Sequence, residues 1–215
     1  TSYHELSDYM TLCVHQRKTP IAGLRLLKQT AELSPRLLSM QVLRIEQYVD
    51  MMMYYVKMGH MNQDLKIGYY KIGDIVNEVV KKQSLFFIHK KISLQLEELD
   101  EKILTDEKWT SFIIEQILSN ALKYTKEGSI HICMKNQTLY IKDTGIGIKK
   151  EDLPRVFEKG FTGTNGRIDK KASGLGLYLV KNICDTLGYP IHIESIINQG
   201  TTVSICFEKK PLIVE

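Results

Sequence analysis

Glu115-Gln116-Ile117-Leu118-Ser119-Asn120-Ala121-Leu122-Lys123-Tyr124 ends a strongly periodic run that starts at Glu107. Its apolar residues recur at helical spacing, so Glu107–Tyr124 is predicted to be a helix. That spacing sets Asn120, Lys123 and Tyr124 on one face. Taken singly, each of the three reads as part of an exposed amphipathic helix. Downstream, the apolar strand Leu139–Ile141 runs into Asp143-Thr144-Gly145-Ile146-Gly147. An aspartate at a strand end can accept a hydrogen from an exocyclic amine, and the glycines let backbone come close to a base. Gly174-Leu175-Gly176-Leu177 then opens a helix whose free N–H groups and dipole suit phosphate. No strand immediately precedes it, so it is not a dinucleotide fingerprint.

Far upstream stands Val14-His15-Gln16-Arg17-Lys18-Thr19-Pro20. Leu6, Met10, Cys13, Ile21, Leu24, Leu27 and Ala31 give an amphipathic helix across it with a near-heptad seam. Glu32-Leu33-Ser34-Pro35 breaks that helix, with Ser34 as cap and Pro35 in the next first turn. Leu38, Val42, Ile45, Val49, Met52 and Val56 form a second seam. Residues 1–60 therefore read as a helical hairpin. Two single-seam helices cannot bury both faces alone, so two hairpins are expected to pair into a dimeric four-helix bundle. Gly59 and Asn62-Gln63-Asp64 read as a hinge, and Met51, Met52, Met53, Met58 and Met61 beside it read as core filling or, functionally, as adaptable packing between two domains that must move.

Beyond the hinge the pattern turns mixed. Strands are expected at Leu65–Lys71, Lys91–Leu96, Ser129–Met134, Leu139–Asp143, Ile191–Ser195 and Thr202–Phe207. Helices are expected at Asp74–Lys90, Glu107–Tyr124 and Gly174–Leu187. Helices on one face of a mixed sheet make residues 61–215 an α+β domain. The Gly-, Lys- and Thr-rich stretch between Leu153 and Ser173 suits a lid, with Phe157 and Phe161 as anchors. For Arg167 and Lys171 within it, solvated loop charge is the better reading.

A histidine before a proline, then an Asn-x-x-Lys-Tyr helix, then two glycine boxes, in this order, resembles the sensor histidine kinases of two-component signalling. The resemblance spans nearly all 215 residues. It implies a dimerisation and phosphotransfer hairpin followed by an α/β-sandwich ATP-binding domain of the kinase and gyrase type. The substrate it implies is ATP, with Mg²⁺ held through the Asn120 amide oxygen. Lys123 would neutralise a phosphate, Tyr124 would border the adenine, and Asp143 would accept the adenine amino hydrogen. Gly145, Gly147, Gly174, Gly176 and Leu177 would complete the pocket. Gly200-Thr201-Thr202 resembles the last glycine box, with Thr202 approaching the base.

His15 would be the phosphoacceptor, because imidazole keeps a free lone pair near neutral pH. Thr19, one turn on, would orient a water that dephosphorylates a response regulator. The family has glutamate where Gln16 stands. An amide can orient the ring but cannot take its proton. Arg17 stands on the seam where the family has an apolar residue, so either an Arg17–Asp50 pair or a helix rotated to expose Arg17 is expected. The variant His-Gln-x-Lys-Thr-Pro resembles the small intramembrane-sensing kinases of cell-envelope stress.

The partners implied are a second copy of the chain and a response regulator receiver domain. The resemblance also implies sensor and membrane segments before residue 1, with this part on the cytoplasmic side. The net charge of +4, without a dense basic stripe, argues against nucleic acid. No apolar run reaches the ~20 residues of a membrane span. Cys13, Cys133, Cys184 and Cys206 show no paired spacing and read as small hydrophobes in a reducing compartment. An ATPase of the gyrase type is the alternative, but it needs a carboxylate base where Gln116 stands. An ATP-binding scaffold without turnover is a third reading, kept open by Gln16 and Arg17.

Overall fold

The computed structural model describes residues 21–22, 34–163 and 174–208. His15, Gln16, Arg17 and Thr19 lie outside them, as do most of the first hairpin helix, the expected Arg17–Asp50 pair and the centre of the expected lid.

Helix α1 (Pro35–Met58) is the second arm of the expected hairpin. Ser34 is its N-cap residue with Pro35 at the first position. The cap acts through backbone, since the Ser34 carbonyl accepts from Leu38 N at 3.1 Å and its side chain makes no cap bond. The chain turns at Gly59 and His60. The polar residues read as a hinge form a short helix, α2 (Met61–Asp64), and Met61 is buried.

Next come β1 (Ile67–Lys71), α3 (Ile72–Lys90), β2 (Ser93–Glu97), β3 (Lys102–Asp106) and α4 (Glu107–Tyr124). After them follow β4 (Ser129–Lys135), β5 (Thr138–Asp143), a 3₁₀ turn at Leu153–Arg155, α5 (Gly176–Leu187), β6 (Ile191–Ile196) and β7 (Gly200–Cys206). The five-stranded sheet runs β2-β4-β5-β7-β6. β2 and β4 are parallel and the other neighbours antiparallel, so the sheet is mixed as expected. β1 and β3 form a separate antiparallel pair.

Strand alternation decides which face is covered. Ile130, Ile132, Met134, Leu139, Ile141, Val203 and Ile205 all point to one side and are buried. Against them pack Ile113, Leu118, Leu179, Val180 and Ile183 from α4 and α5, with Ile75, Val76 and Val79 of α3 alongside. The result is one sheet layer under one helix layer.

Local chemistry sets the boundaries. The Asp106 carboxylate accepts from Trp109 N at 3.0 Å and from Lys66 N at 2.7 Å, capping α4 and tying it to the segment before β1. The β4–β5 turn places Asn136 and Gln137 at φ 51° and 56°, the positive pair a two-residue hairpin requires. Glu101 holds that turn by accepting from Gln137 N and Nε2 at 3.2 and 2.6 Å.

Helix α1 has two faces. One packs on the sheet domain: Tyr54 stacks on Phe112 at 4.0 Å, meets Trp109 edge-on at 5.0 Å and donates to the Lys108 carbonyl at 3.2 Å. Arg44 lies over the Phe86 ring at 5.6 Å. The opposite face exposes Leu38, Val42, Val49, Met53 and Val56, largely the expected second seam.

Candidate functional site

A single cleft gathers the polar residues that the sequence singles out. Its α4 wall carries Gln116, Ser119, Asn120, Lys123 and Tyr124. The Lys123 ammonium stands 5.0 Å from the centroid of the Tyr124 ring. Ile141, Val203 and Ile193 supply an apolar sheet floor, and Asp143 stands at its edge. Gly147, Ile148, Lys149 and Asp152 come from the loop after β5. Gly174, Gly176 and Leu177 close the side where α5 begins.

Asp143 ends β5 and is buried, 7% exposed. Burial pushes its carboxyl above the ordinary carboxylate range. The Gly145 amide, donating at 2.8 Å, and the Thr201 amide oppose that push. The Thr125 hydroxyl also faces the carboxylate, short of ordinary hydrogen-bond geometry. A buried acceptor beside an apolar floor is what an exocyclic amine of a flat heterocycle requires.

The loop glycines are set by close approach. A Cβ on Gly145 would stand 2.6 Å from the Tyr124 carbonyl oxygen. One on Gly147, at φ 69°, would stand 2.1 Å from the Ile196 carbonyl oxygen. The loop is sewn to its surroundings by Ile146 N to the Tyr124 carbonyl at 3.2 Å and by Asn198 N to the Ile146 carbonyl at 2.9 Å. Ile148 N donates to Ser195 Oγ at 2.8 Å. Gly174 sits before the helix, not inside it, with φ 64°, and its carbonyl accepts from Gly160 N at 3.0 Å.

Of the residues named from sequence, Asn120, Lys123, Tyr124, Asp143, Gly147, Gly174, Gly176 and Leu177 line the cleft. Gly145 shapes it from behind through the Asp143 carboxylate. At the last glycine box Thr201 and Val203 face the cleft, while Thr202 lies between them on a strand of alternating sides. Reading the motif without its strand phase missed Thr201 by one position. Also missed were Tyr48 and Met51, which α1 contributes to the rim. They lie three apart, on the opposite side of α1 from its exposed seam, and that spacing was the available signal. Phe161 lines the cleft too, with Arg155 above its ring at 4.6 Å.

Among the described residues no group of three or more His, Cys, Asp or Glu could hold a metal ion. The donor set therefore fits a cation held mostly by phosphate and water oxygens, with the Asn120 amide as a protein ligand. Among the described residues no cluster suits a metal held by protein alone. Among the described residues no helix is long and apolar enough to cross a membrane.

Residues 105–211 match the family described as histidine kinase-, DNA gyrase B-, and HSP90-like ATPase. Over 213 residues the chain is 34% identical to the sensor histidine kinase GraS of Staphylococcus epidermidis. It is 35% identical over 213 residues to the sensor protein kinase GraS of Staphylococcus aureus. Each alignment covers 96% of this chain and 62% of the relative, so the chain spans about three fifths of the curated relatives it matches. Among solved structures, the Acinetobacter baumannii histidine kinase AdeS superposes with a TM-score of 0.62 at 22% identity, covering 91% of this chain and 98% of that one. Full-length ShkA in complex with AMPPNP gives 0.64 at 19% identity, over 99% of this chain and 48% of that one. At such identities the two structures speak for the fold. With the sequence relatives beside them, the chain belongs to the sensor histidine kinases, and residues 105–211 are its ATPase-type domain.

Proposed function

We propose that this chain is the kinase portion of a sensor histidine kinase. It binds Mg-ATP in the cleft and transfers the γ-phosphoryl group to His15, and then to an aspartate of a response regulator receiver domain. One observation carries the nucleotide reading: the Asp143 carboxylate, buried at the edge of an apolar floor, with Asn120 and Lys123 on the adjoining wall. The carboxylate accepts the adenine amino hydrogen. Guanine offers a carbonyl there, and two acceptors would face each other.

Tyr124 borders the base, Lys123 neutralises phosphate, and the first N–H groups of α5 face the phosphate end. Mg²⁺, held by phosphate oxygens and Asn120, would add charge neutralisation. The His15 imidazole nitrogen forms a bond to the γ-phosphorus as the bond to the β-bridging oxygen breaks, and ADP leaves. Such transfer rests on positioning and charge, with little covalent help from the protein. Gln16 orients the imidazole without taking its proton, and Thr19 serves the regulator's dephosphorylation.

The working form is a homodimer joined through the hairpin seams. In the full-length protein, sensor and membrane segments precede this portion, which faces the cytoplasm. Gln116 argues against a gyrase-like ATPase. Its Oε1 lies 3.0 Å from where a Gly176 Cβ would be, and an amide there cannot activate water.

Incubation with γ-labelled Mg-ATP tests the reading. The wild-type chain is expected to acquire acid-labile label, and His15→Gln none, with ATP affinity the same in both. Label that persists in His15→Gln, or no label on a wild type that binds ATP, overturns it.

A further inference from the structure

Helix α4 ends at the cleft, and its last carbonyls need partners that the helix cannot supply. They belong to Ala121, Leu122, Lys123 and Tyr124. The Ala121 carbonyl accepts from Thr125 N at 3.0 Å, and the Tyr124 carbonyl from Ile146 N at 3.2 Å. The other two accept from one side chain. The Lys90 ammonium, in the last turn of α3, donates to the Leu122 carbonyl, to the Lys123 carbonyl at 3.1 Å and to the Thr125 carbonyl at 2.8 Å. Lys90 does not line the cleft.

We propose that Lys90 is a positioning residue for nucleotide binding, setting Asn120, Lys123 and Tyr124 in place through the three carbonyls at the end of α4. This rests on the reading that those residues hold ATP.

An ammonium carries three protons and here has three carbonyl acceptors. A cation at a helix C-terminus also complements the helix dipole. The same turn is bonded on its other side to the Asp143–Gly147 loop, through Ile146 N. The close packing of Gly145 on the Tyr124 carbonyl allows no slack there. A shift of the last turn therefore moves the α4 wall and loosens the loop behind Asp143 together. Without the cation, the freed carbonyls turn to water and the turn frays. The N-terminal end of α4, capped by Asp106, and the sheet core beneath are untouched. The loss falls on nucleotide affinity, not on the fold.

The test measures Mg-ATP affinity by calorimetry at 10 °C on the full chain, with folding checked by circular dichroism. Lys90→Met is expected to weaken binding about fivefold, the scale of one cation at a helix C-terminus. Lys90→Arg, which keeps charge and several donors, is expected to stay within about twofold of wild type. Lys91→Asn removes an exposed neighbouring charge at a left-handed position that asparagine tolerates, φ 55°, and is expected to change nothing.

A folded Lys90→Met that binds like wild type overturns the proposal. So does Lys91→Asn losing as much, since net charge alone would then explain the loss, and so does Lys90→Arg losing as much as Lys90→Met, since the retained charge and donors would then count for nothing. Should Lys90→Met fail to fold, Lys90→Gln is judged by the same criterion. A wild type that does not bind Mg-ATP overturns the reading of the cleft itself, whatever the variants do.

Discussion

The sheet domain and helix α1 spend their apolar residues in opposite ways. In the sheet domain Ile72, Ile113, Leu118, Ile130 and Leu179 are sealed against one another within one core. In α1 one side buries Met40, Met51 and Tyr55, while the other leaves Leu38, Val42, Val49, Met53 and Val56 open. Each such side chain gains roughly 1.5–3 kcal/mol when fully buried. A row of five left open is unfinished packing, not scattered surface. The sheet domain encloses its core with help from one side of α1, whereas among the described residues the other side of α1 has no such cover.

The sharpest way to break that contrast is Val49→Asp. In a paired bundle it sets a carboxylate in the seam of both protomers, at several kcal/mol each. The mass in solution, read by light scattering, is expected to fall to that of a monomer. Mg-ATP affinity, set in the other region, is expected to stay within about twofold. A dimer that survives would mean the exposed row is not the seam.

Asp143→Asn is the reverse cut. The amide keeps the shape and one acceptor but loses the charge that strengthens the bond to an amine. Mg-ATP affinity is expected to fall about 30-fold, in the range of one charge-assisted hydrogen bond. The dimer is expected to remain. If both properties change in either variant, the two regions are coupled through α1, whose Tyr48 and Met51 reach the cleft rim.

The same contrast explains what could be read from sequence. Helix α4 is read to the residue, Glu107–Tyr124, because a long periodic run agrees with its polar N-cap. The sheet strands agree to within two residues at their starts, since their inner rows alternate with polar outer rows. Strand β3 was missed because Thr105 and Asp106 are polar yet buried, which hides the period. Their burial is paid through contacts remote in sequence. Tyr189 Oη bonds to Thr105 Oγ1 at 2.8 Å, and Lys66 N to Asp106.

The cleft follows the same rule. Residues on α4 were legible because one helix face carries them. Thr201 was not, because a one-residue slip on a strand exchanges its sides. Lys90 was invisible, since its role exists only where the end of α3 meets the end of α4. The inner face of α1 was half legible. Its methionines read as core filling, but nothing local says that Tyr54 beside them meets Trp109 and Phe112.

The smallest expected effect is on stability, and its sign sharpens the point that the site is a place where the sheet domain is not optimised for stability. Burial holds the Asp143 carboxyl above its ordinary value of 3.8. Between that value and the raised one, the folded protein keeps a proton that the unfolded chain has released. Stability from this group is thus fully present at low pH and is lost as pH rises through that window. At neutral pH the ionised carboxylate is a net cost to the empty protein. Asp143→Asn removes the cost, so the nucleotide-free variant is expected to melt about 2 °C above wild type at pH 7. The difference should vanish as pH falls below the ordinary value. Saturating Mg-ATP should reverse the order, because it stabilises the form that binds it more tightly. A nucleotide-free variant that melts below wild type at pH 7 would mean that the Gly145 and Thr201 amides outweigh burial. The cleft would then be as well satisfied when empty as the core beneath it.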